Sequence, residues 1–213
     1  MIRVQKGQAP PVLAANAATW TKDLLAAKAA KAAKKIESRY QSHEVKAALV
    51  RDFHGKCAYC ESFIRHVDYG DIEHFRPKAN PKWRHLTFDW NNLLLACGRC
   101  NGRENKGTRF PEASEDGPIV NPCEEEPSDH LRFEFEPAAK LASVYGRTPR
   151  GVTTEQVLGL NRKELRAERS RQVARLAVLR DFANTNSEAA EIWAEAQSAG
   201  AQYAAFARSV AAS

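Results

Sequence analysis

The chain has 213 residues, of which 43% are hydrophobic, so it is long enough to fold as one compact unit with its own core. Its formal net charge of +6 at pH 7 mildly favours a polyanionic partner. No apolar run is long enough to cross a bilayer, and residues 1–11 lack the apolar core of a secretory signal, which argues against membrane and secreted proteins. We therefore expect a cytoplasmic protein with no membrane partner.

The first part of the chain, residues 1–52, is predicted to be an N-terminal helical region. The polar stretch that ends at Pro11 predicts an extended arm. From Ala14 to about Arg51 the chain is rich in Ala, Leu, Lys and Glu, which favour helix, so we expect one or two helices with a break near residues 40–43. The lysines of these helices suit either phosphate contacts or an exposed helix face: Lys22, Lys28, Lys31, Lys34 and Lys35.

Two Cys-x-x-Cys pairs, Cys57 with Cys60 and Cys97 with Cys100, mark the centre of the chain. Together they predict a tetrahedral zinc site with four thiolate ligands, in preference to two redox dithiols. Such a site has no open coordination position, so we expect it to be structural and to leave catalysis to other residues. Four thiols on a metal also suit a reducing cytoplasm, and the fifth cysteine, Cys123, is expected to be an unpaired thiol without a role.

An acid followed by a histidine, Glu73-His74, lies between the cysteine pairs, in a module predicted for residues 53–110. The stretch around it alternates polar and apolar residues up to a proline, which predicts a strand that ends there. A neutral His74 can take a proton from water and so act as the general base in phosphodiester hydrolysis. His66 and His85 are the alternative bases, but neither stands beside an acid.

Three side chains of this module are candidate ligands for a catalytic Mg²⁺ or Mn²⁺. Glu73 offers a hard carboxylate oxygen beside the base, and Asn101 offers a carboxamide oxygen directly after the second cysteine pair. Asp71 stands two residues before Glu73 and therefore on the same face of the strand. An ion held there would stabilise the charge that develops on the phosphate and on the leaving oxygen.

Other polar residues of the module have predicted supporting roles. Asn92 is expected to hold the loop that carries His74. A short helix is expected to open at the second cysteine pair and to carry Asn101, Asn105 and Lys106, with the Lys106 ammonium reaching the scissile phosphate. Four cations near the base and the helix are candidate nucleic-acid contacts: Arg76, Lys78, Arg99 and Arg103.

The rest of the chain divides into an acidic region, residues 111–152, and a helical region, residues 153–213. The acidic region is rich in proline, which predicts loops, with strands at residues 132–136 and about 142–145. In the helical region, the capping box Thr153-x-x-Gln156 predicts the start of a helix. Two further helices are predicted, a long basic one and a final Ala-rich one: Lys163 to Phe182, and from Ser187 onward.

Several motifs of the chain resemble the zinc-stabilised HNH nucleases, also called His-Me finger nucleases. The matching stretches are Gly55–Glu61, Ile72–Lys78, Trp90–Leu95, Cys97–Asn101 and Lys106-Gly107. A second set more narrowly resembles the PtuB nuclease subunits of Septu-type anti-phage systems, which also occur beside retrons: the sequence E-H-F-R-P-K, Phe110-Pro111, Asn121-Pro122 and Leu160-Asn161-Arg162.

The resemblance implies a metal-dependent endonuclease in which His74 is the general base. It further implies that Glu73 and Asn101 flank the divalent ion and that Asn92 orients the histidine loop. One position departs from the HNH pattern, because Asn101 stands where a last histidine is usual, and this favours Mg²⁺ over zinc or nickel at the catalytic site. The resemblance also implies an ATPase subunit as partner.

The acidic loop at residues 112–129 and the helices beyond Thr153 are additional to a nuclease finger. They are the candidate docking surfaces for the ATPase. The alternative interpretation is that the helices only complete the hydrophobic core and that their arginines are solvated. Overall we expect a mainly α fold, in which a small zinc-stabilised ββα-metal module is inserted between N- and C-terminal helices.

The expected function is cleavage of nucleic acid, with DNA favoured, as the effector of an anti-phage defence system. Two alternatives stay open: a zinc-knuckle module that binds nucleic acid without cutting it, and a subunit that serves only assembly. Glu73-His74 with Asn101 argues against the first, because pure binding does not need an acid beside a base. A plasmid-nicking assay with Mg²⁺ or Mn²⁺ separates all three.

Overall fold

The computed structural model describes residues 1–64 and 68–211, and within them most regular structure is helical. Three helices precede the central module: α1 (Pro11–Ala26), α2 (Ala30–Glu37) and α3 (His43–Asp52). Ser42 caps α3, because its hydroxyl accepts a hydrogen bond from the main-chain N–H of Val45 at 3.2 Å.

The central module is built on an antiparallel pair of short strands, β1 (Asp71–His74) and β2 (Leu93–Ala96). All four residues of β2 are apolar and buried, so this strand forms the floor of the module. The short helix α4 (Gly98–Asn101) follows β2 and packs against β1. The predicted mainly α fold with an inserted ββα module is therefore confirmed.

The C-terminal part combines a second antiparallel pair of strands with four helices. The strands are β3 (Leu131–Glu136) and β4 (Leu141–Gly146), as the alternating pattern of the sequence predicted. The helices α6 and α8 pack against these two strands. The four helices are α5 (Pro149–Leu158), α6 (Lys163–Ala183), α7 (Ser187–Ala196) and α8 (Ala204–Ala211).

A buried arginine joins the second sheet to its helices. Arg169 of α6 is only 2% exposed, and its guanidinium donates hydrogen bonds to the carbonyls of Ala142 and Leu160 and to Oδ1 of Asn161 at 2.8 to 3.1 Å. The guanidinium carbon also lies 4.8 Å from the ring centroid of Phe206. Arg169 is therefore a structural cation, and its charge is not available to a ligand at the surface.

The N-terminal region and the final helices differ in detail from the sequence predictions. The N-terminal region has three helices, because the chain also breaks between Ala26 and Ala30. The final Ala-rich segment forms two helices, because a turn separates Ala196 from Ala204.

The start of one further helix and the end of another were also predicted wrongly. The capping box at Thr153 was wrong, since α5 begins at Pro149, whose fixed φ suits the first turn, and Thr148 is the cap. The helix after the second cysteine pair ends at Asn101, so Lys106 lies in the turns that follow it.

A main hydrophobic core runs through the described parts of the chain, and a smaller second cluster contains Leu176, Ala196 and Ala207. The main core includes Leu13 of α1, Leu93 of β2, Val144 of β4 and Val173 of α6. The N-terminal arm packs on this core as well, because Lys6 Nζ donates a hydrogen bond to the carbonyl of Leu93 at 2.8 Å. None of the helices in the described ranges is long and apolar enough to span a membrane.

Candidate active site and metal centre

The four cysteines of the two pairs meet at one point in the fold. Their sulfur atoms all lie within 4.8 Å of one another, and Cys60 Sγ is 3.9 Å from Cys97 Sγ. Tetrahedral zinc with Zn–S bonds of roughly 2.3 Å requires sulfur atoms about 3.8 Å apart. The donor set and its spacing therefore fit the predicted structural zinc. The fifth cysteine, Cys123, is half-buried, and burial raises the pKa of its thiol to about 11.

Hydrogen-bond donors surround the sulfur atoms of this cluster. The main-chain N–H of Cys100 donates to Cys97 Sγ at 3.4 Å, which is the local geometry that a Cys-x-x-Cys turn gives. Arg162, just before α6, donates from Nη1 to Cys100 Sγ at 3.5 Å. Since four thiolates carry more negative charge than one zinc ion neutralises, this guanidinium stabilises the cluster and ties it to the C-terminal helices.

His74 has the hydrogen bonding of a neutral imidazole. Its Nε2 lies 3.0 Å from the carbonyl oxygen of Thr87, and because a carbonyl only accepts, Nε2 carries the hydrogen. Nδ1 is then the acceptor nitrogen. Burial lowers the pKa of His74 to about 4, so the ring is neutral at pH 7. The Tyr40 ring packs edge-on against His74, with centroids 4.6 Å apart, and His74 is 5% exposed.

Glu73 points into a buried polar cluster. Its Oε1 forms an ion pair with Lys106 Nζ and accepts a hydrogen bond from the hydroxyl of Tyr59 at 3.4 Å. The same ammonium donates to the main-chain carbonyl of His74 at 3.0 Å. Burial raises the pKa of Glu73, while Lys106 and Tyr59 favour its ionised form.

This cluster changes the expected position of Lys106. The side chain is fully buried, with 0% of its surface exposed, and does not extend toward a surface where a phosphate would bind. The physical reason is that the buried carboxylate of Glu73 needs a counter-charge, and Lys106 supplies it.

Asp71 and Asn101, the other two predicted metal ligands, lie in direct contact. Asn101 Nδ2 donates to Asp71 Oδ2 at 2.9 Å. Both line a cavity of about 370 Å³ together with Gly70 and Ile72. Glu73 is not among the described residues that line this cavity. The structure thus brings two of the three candidate ligands together and places the third beside Lys106.

Asn92 holds the loop that follows His74. Its Oδ1 accepts from the main-chain N–H of Arg76 at 2.7 Å, and its Nδ2 donates to the carbonyls of Arg76 and Leu86 at 3.0 and 3.2 Å. The main-chain carbonyl of Asn92 accepts from the N–H of Phe75 at 2.9 Å. These contacts join the end of β1 to the start of β2, which is the arrangement that the predicted orienting role requires.

Three of the four candidate nucleic-acid contacts lie beside acids. Lys78 Nζ is 2.6 Å from Glu37, whereas Arg76 and Arg99 each lie 3.7 Å from an acid, Glu124 and Glu164 respectively. The fourth, Arg103, is exposed. A nucleic acid at these positions would have to compete with the neighbouring carboxylates, which weakens the electrostatic attraction of this face.

Of the two alternative bases, the structure describes only His85. His85 is exposed on the surface, and His66 lies outside the described residues. Residues that the motifs did not single out do approach the site. Tyr40, Gln41 and Lys46 come from the N-terminal region and line the same cavity as Asp71. No local pattern in the sequence indicated them, because their approach depends on how α3 packs.

Comparison with known proteins places the module in a family. Residues 57–107 match the HNH endonuclease family. The chain is 34% identical to Septu protein PtuB from Bacillus mycoides (strain KBAB4) over 206 residues, which cover 80% of the chain and 66% of that protein. It is 37% identical to Septu protein PtuB from Bacillus thuringiensis over 119 residues, 55% of the chain and 41% of that protein.

A local similarity to another Septu protein is also present. The chain is 27% identical to Septu protein PtuA from Bacillus mycoides (strain KBAB4) over 150 residues, which cover 56% of the chain and 20% of that protein. The chain therefore spans 66%, 41% and 20% of the lengths of these three relatives.

Proposed function

Because this chain carries an HNH endonuclease domain at residues 57–107, we propose that it hydrolyses phosphodiester bonds of nucleic acid, with DNA as the favoured substrate. The observation that carries the proposal is the hydrogen bond from His74 Nε2 to the carbonyl of Thr87. This bond leaves Nδ1 as the acceptor that a general base needs.

In the proposed mechanism, His74 Nδ1 accepts a proton from the attacking water. Asn92 keeps the loop after His74 in place through its bonds to Arg76, and Lys106 holds the main-chain carbonyl of His74. These contacts fix the position of the imidazole relative to β1, so little reorganisation is needed when the proton moves. The cysteine cluster is structural in this mechanism and takes no part in proton transfer.

The proposed reaction depends on Mg²⁺ or Mn²⁺. Asp71 and Asn101 present hard oxygen atoms to the cavity, which is the donor chemistry that these ions prefer. Glu73 would contribute through Oε2, because Oε1 already accepts bonds from Lys106 and Tyr59. When bound, the ion would supply Lewis-acid stabilisation of the phosphate charge and of the leaving oxygen.

We propose further that the chain acts as the effector of a Septu-type anti-phage system, together with an ATPase subunit. The support is the similarity to PtuB over 80% of this chain, with the local similarity to PtuA as a second Septu relative. Four reduced thiols for zinc suit action in a reducing cytoplasm.

Cleavage assays test the nuclease proposal directly. Supercoiled plasmid and labelled single- and double-stranded DNA and RNA are incubated with the zinc-loaded chain, with Mg²⁺, Mn²⁺ or EDTA, alone and with the co-expressed ATPase. We expect cutting that requires the divalent ion and is lost in His74→Ala. Absence of cutting under every condition, for the wild-type chain and for the complex, would overturn the proposal.

Binding without cleavage is the second candidate, because one observation favours it. His74 is only 5% exposed and is covered by Tyr40 in the structure. Under this alternative, the chain retards labelled DNA in a gel at low salt, and the DNA is recovered intact at every metal concentration. The same samples therefore separate the two functions.

A further inference from the structure

The cavity that holds Asp71 and Asn101 has a wall that the HNH domain does not provide. The domain match begins at residue 57, whereas Tyr40, Gln41 and Lys46, which also line the cavity, belong to the N-terminal region. The candidate metal ligands therefore share their cavity with residues from outside the HNH domain. A truncated protein that begins at residue 57 would lack this part of the cavity lining.

Lys46 is the cation of this wall, and the fold fixes its position. It lies on α3 between Val45 and Leu49, which are both fully buried, and α3 packs against β2. Its ammonium donates to the main-chain carbonyl of Gly70, the residue directly before Asp71. The half-buried side chain thus ends at the residue before Asp71 and lines the same cavity as Asp71.

The chemistry of the cavity suits a phosphodiester only if cations are present. Asp71 alone would repel a phosphate, and Asn101 is neutral. A divalent ion on these two residues would attract one phosphate oxygen, and the ammonium of Lys46 in the same lining suits another. The cavity therefore combines oxygen ligands suited to a divalent ion with an ammonium suited to an anionic oxygen, and a phosphodiester could use both.

We propose that Lys46 contacts a non-bridging oxygen of the phosphodiester in this cavity, so that the N-terminal helical region contributes a substrate-contacting residue to the HNH domain. This inference rests on the proposed nuclease function. It assigns to α3 a role in substrate binding that is separate from the basic residues around the hairpin, such as Arg76 and Lys78.

The alternative role for Lys46 is structural. Gly70 has a φ of +69°, a left-handed conformation, and the bond from Lys46 supports the turn that leads into β1. A purely structural lysine would affect folding, whereas a phosphate contact would affect binding and its dependence on salt. These effects are measured separately.

The test compares Lys46→Met, which keeps the aliphatic stem, with Lys46→Arg, which keeps the charge. Lys140→Met, at an exposed turn between β3 and β4, is the matched control for loss of one charge. Cleavage of a short DNA duplex is measured at saturating Mg²⁺ over a range of salt, with zinc content and melting temperature determined for each variant. We expect Lys46→Met to lower kcat/KM about 100-fold and to reduce the slope of log binding against log salt by about 1.

Lys46→Arg should recover most of the activity, and Lys140→Met should equal the wild type. The inference fails if Lys46→Met cuts with wild-type kcat/KM, or if its loss of activity follows a lower melting temperature with an unchanged salt slope. If even the wild-type chain does not cut, the nuclease proposal fails separately. In that case, binding of the same duplex is titrated in Ca²⁺ over the same range of salt. If the slope of log binding against log salt is the same for Lys46→Met as for the wild type, the Lys46 contact is overturned.

Discussion

The ammonium of Lys106 binds both the carboxylate of Glu73 and the main-chain carbonyl of His74. One buried cation thus links the two neighbouring residues that the sequence singled out as acid and base. A buried ion pair of this kind contributes little net stability compared with apolar packing, but removing one partner leaves the other charge without compensation. Lys106 is therefore a positioning residue, because it acts through Glu73 and His74.

Lys106→Met should destabilise the chain by about 3–5 kcal/mol, because the Glu73 carboxylate would stay buried without a counter-charge. Urea unfolding measures the loss. The double variant Lys106→Met with Glu73→Gln should recover part of it, since the uncompensated charge is then gone. Lys82→Met is the control, because Lys82 pairs with Glu112 at the surface, where screening makes the effect small. Equal losses for the two lysines would contradict this assignment.

Zinc removal should unfold the central module. Elemental analysis is expected to find about one zinc per chain, since four thiolates at the observed spacing fill its coordination. Cys97→Ser should lose the metal and lower the melting temperature strongly. Cys123→Ser, at a half-buried cysteine away from the cluster, should change neither. A metal-free preparation with an unchanged melting temperature would show that the cluster does not need the ion.

The general base is best tested by a substitution that keeps the hydrogen bond to Thr87. His74→Gln retains an N–H donor for that carbonyl, whereas His74→Ala also leaves a buried cavity beside Tyr40. We expect His74→Gln to lower the cleavage rate by about 10²–10⁴-fold while losing less stability than His74→Ala. Single-turnover rates and thermal melts give both quantities. Normal cutting by His74→Gln would transfer the role of base to another residue, with His85 as the next candidate.

The sequence predicted the strand and the cysteine cluster of this region where the signal is local. Two cysteine pairs, the strand before the proline and the residues Glu73-His74 depend on spacing and alternation, which a single sequence displays. Each of these features lies in the structure where the pattern predicted it.

The sequence did not show which residues meet across the fold. The burial of Lys106 and the approach of Lys46 to Asp71 depend on packing between segments far apart in the chain. The start of α5 shows the same limit locally, because Pro149 at its first turn outweighed the capping box at Thr153.

The three candidate metal ligands should differ in their effect on the Mg²⁺ requirement. Asp71→Asn and Asn101→Ala should each raise the Mg²⁺ concentration for half-maximal cutting about tenfold, a loss of roughly 1.4 kcal/mol in ion binding, because both line the cavity. Glu73→Gln should shift this midpoint less and lower the melting temperature more, because Glu73 pairs with Lys106. Asp181→Asn, an exposed acid at the end of α6, is the control. If Glu73→Gln instead shifts the Mg²⁺ midpoint more than the other two variants do, Glu73 is the main ligand.

Docking of the proposed ATPase is tested by charge reversal at residues that the fold can spare. Glu125 is unsuitable, because both its carboxylate oxygens accept from Arg150, and Arg169 is unsuitable because it is buried. Glu124→Lys with Glu126→Lys tests the acidic loop, and Arg166→Glu with Arg175→Glu tests the face of α6.

Each pair of substitutions is co-expressed with the tagged ATPase and assayed by co-purification. We expect at least one pair to reduce the recovered complex while the isolated chain retains metal-dependent cutting, because reversed charges at an interface repel their former partners. Lys140→Glu is the control for a charge change at an exposed turn between β3 and β4. Wild-type recovery for both pairs would exclude the acidic loop and α6 as the docking surface. An isolated chain that cuts as fast and as selectively as the complex would show that no partner is needed.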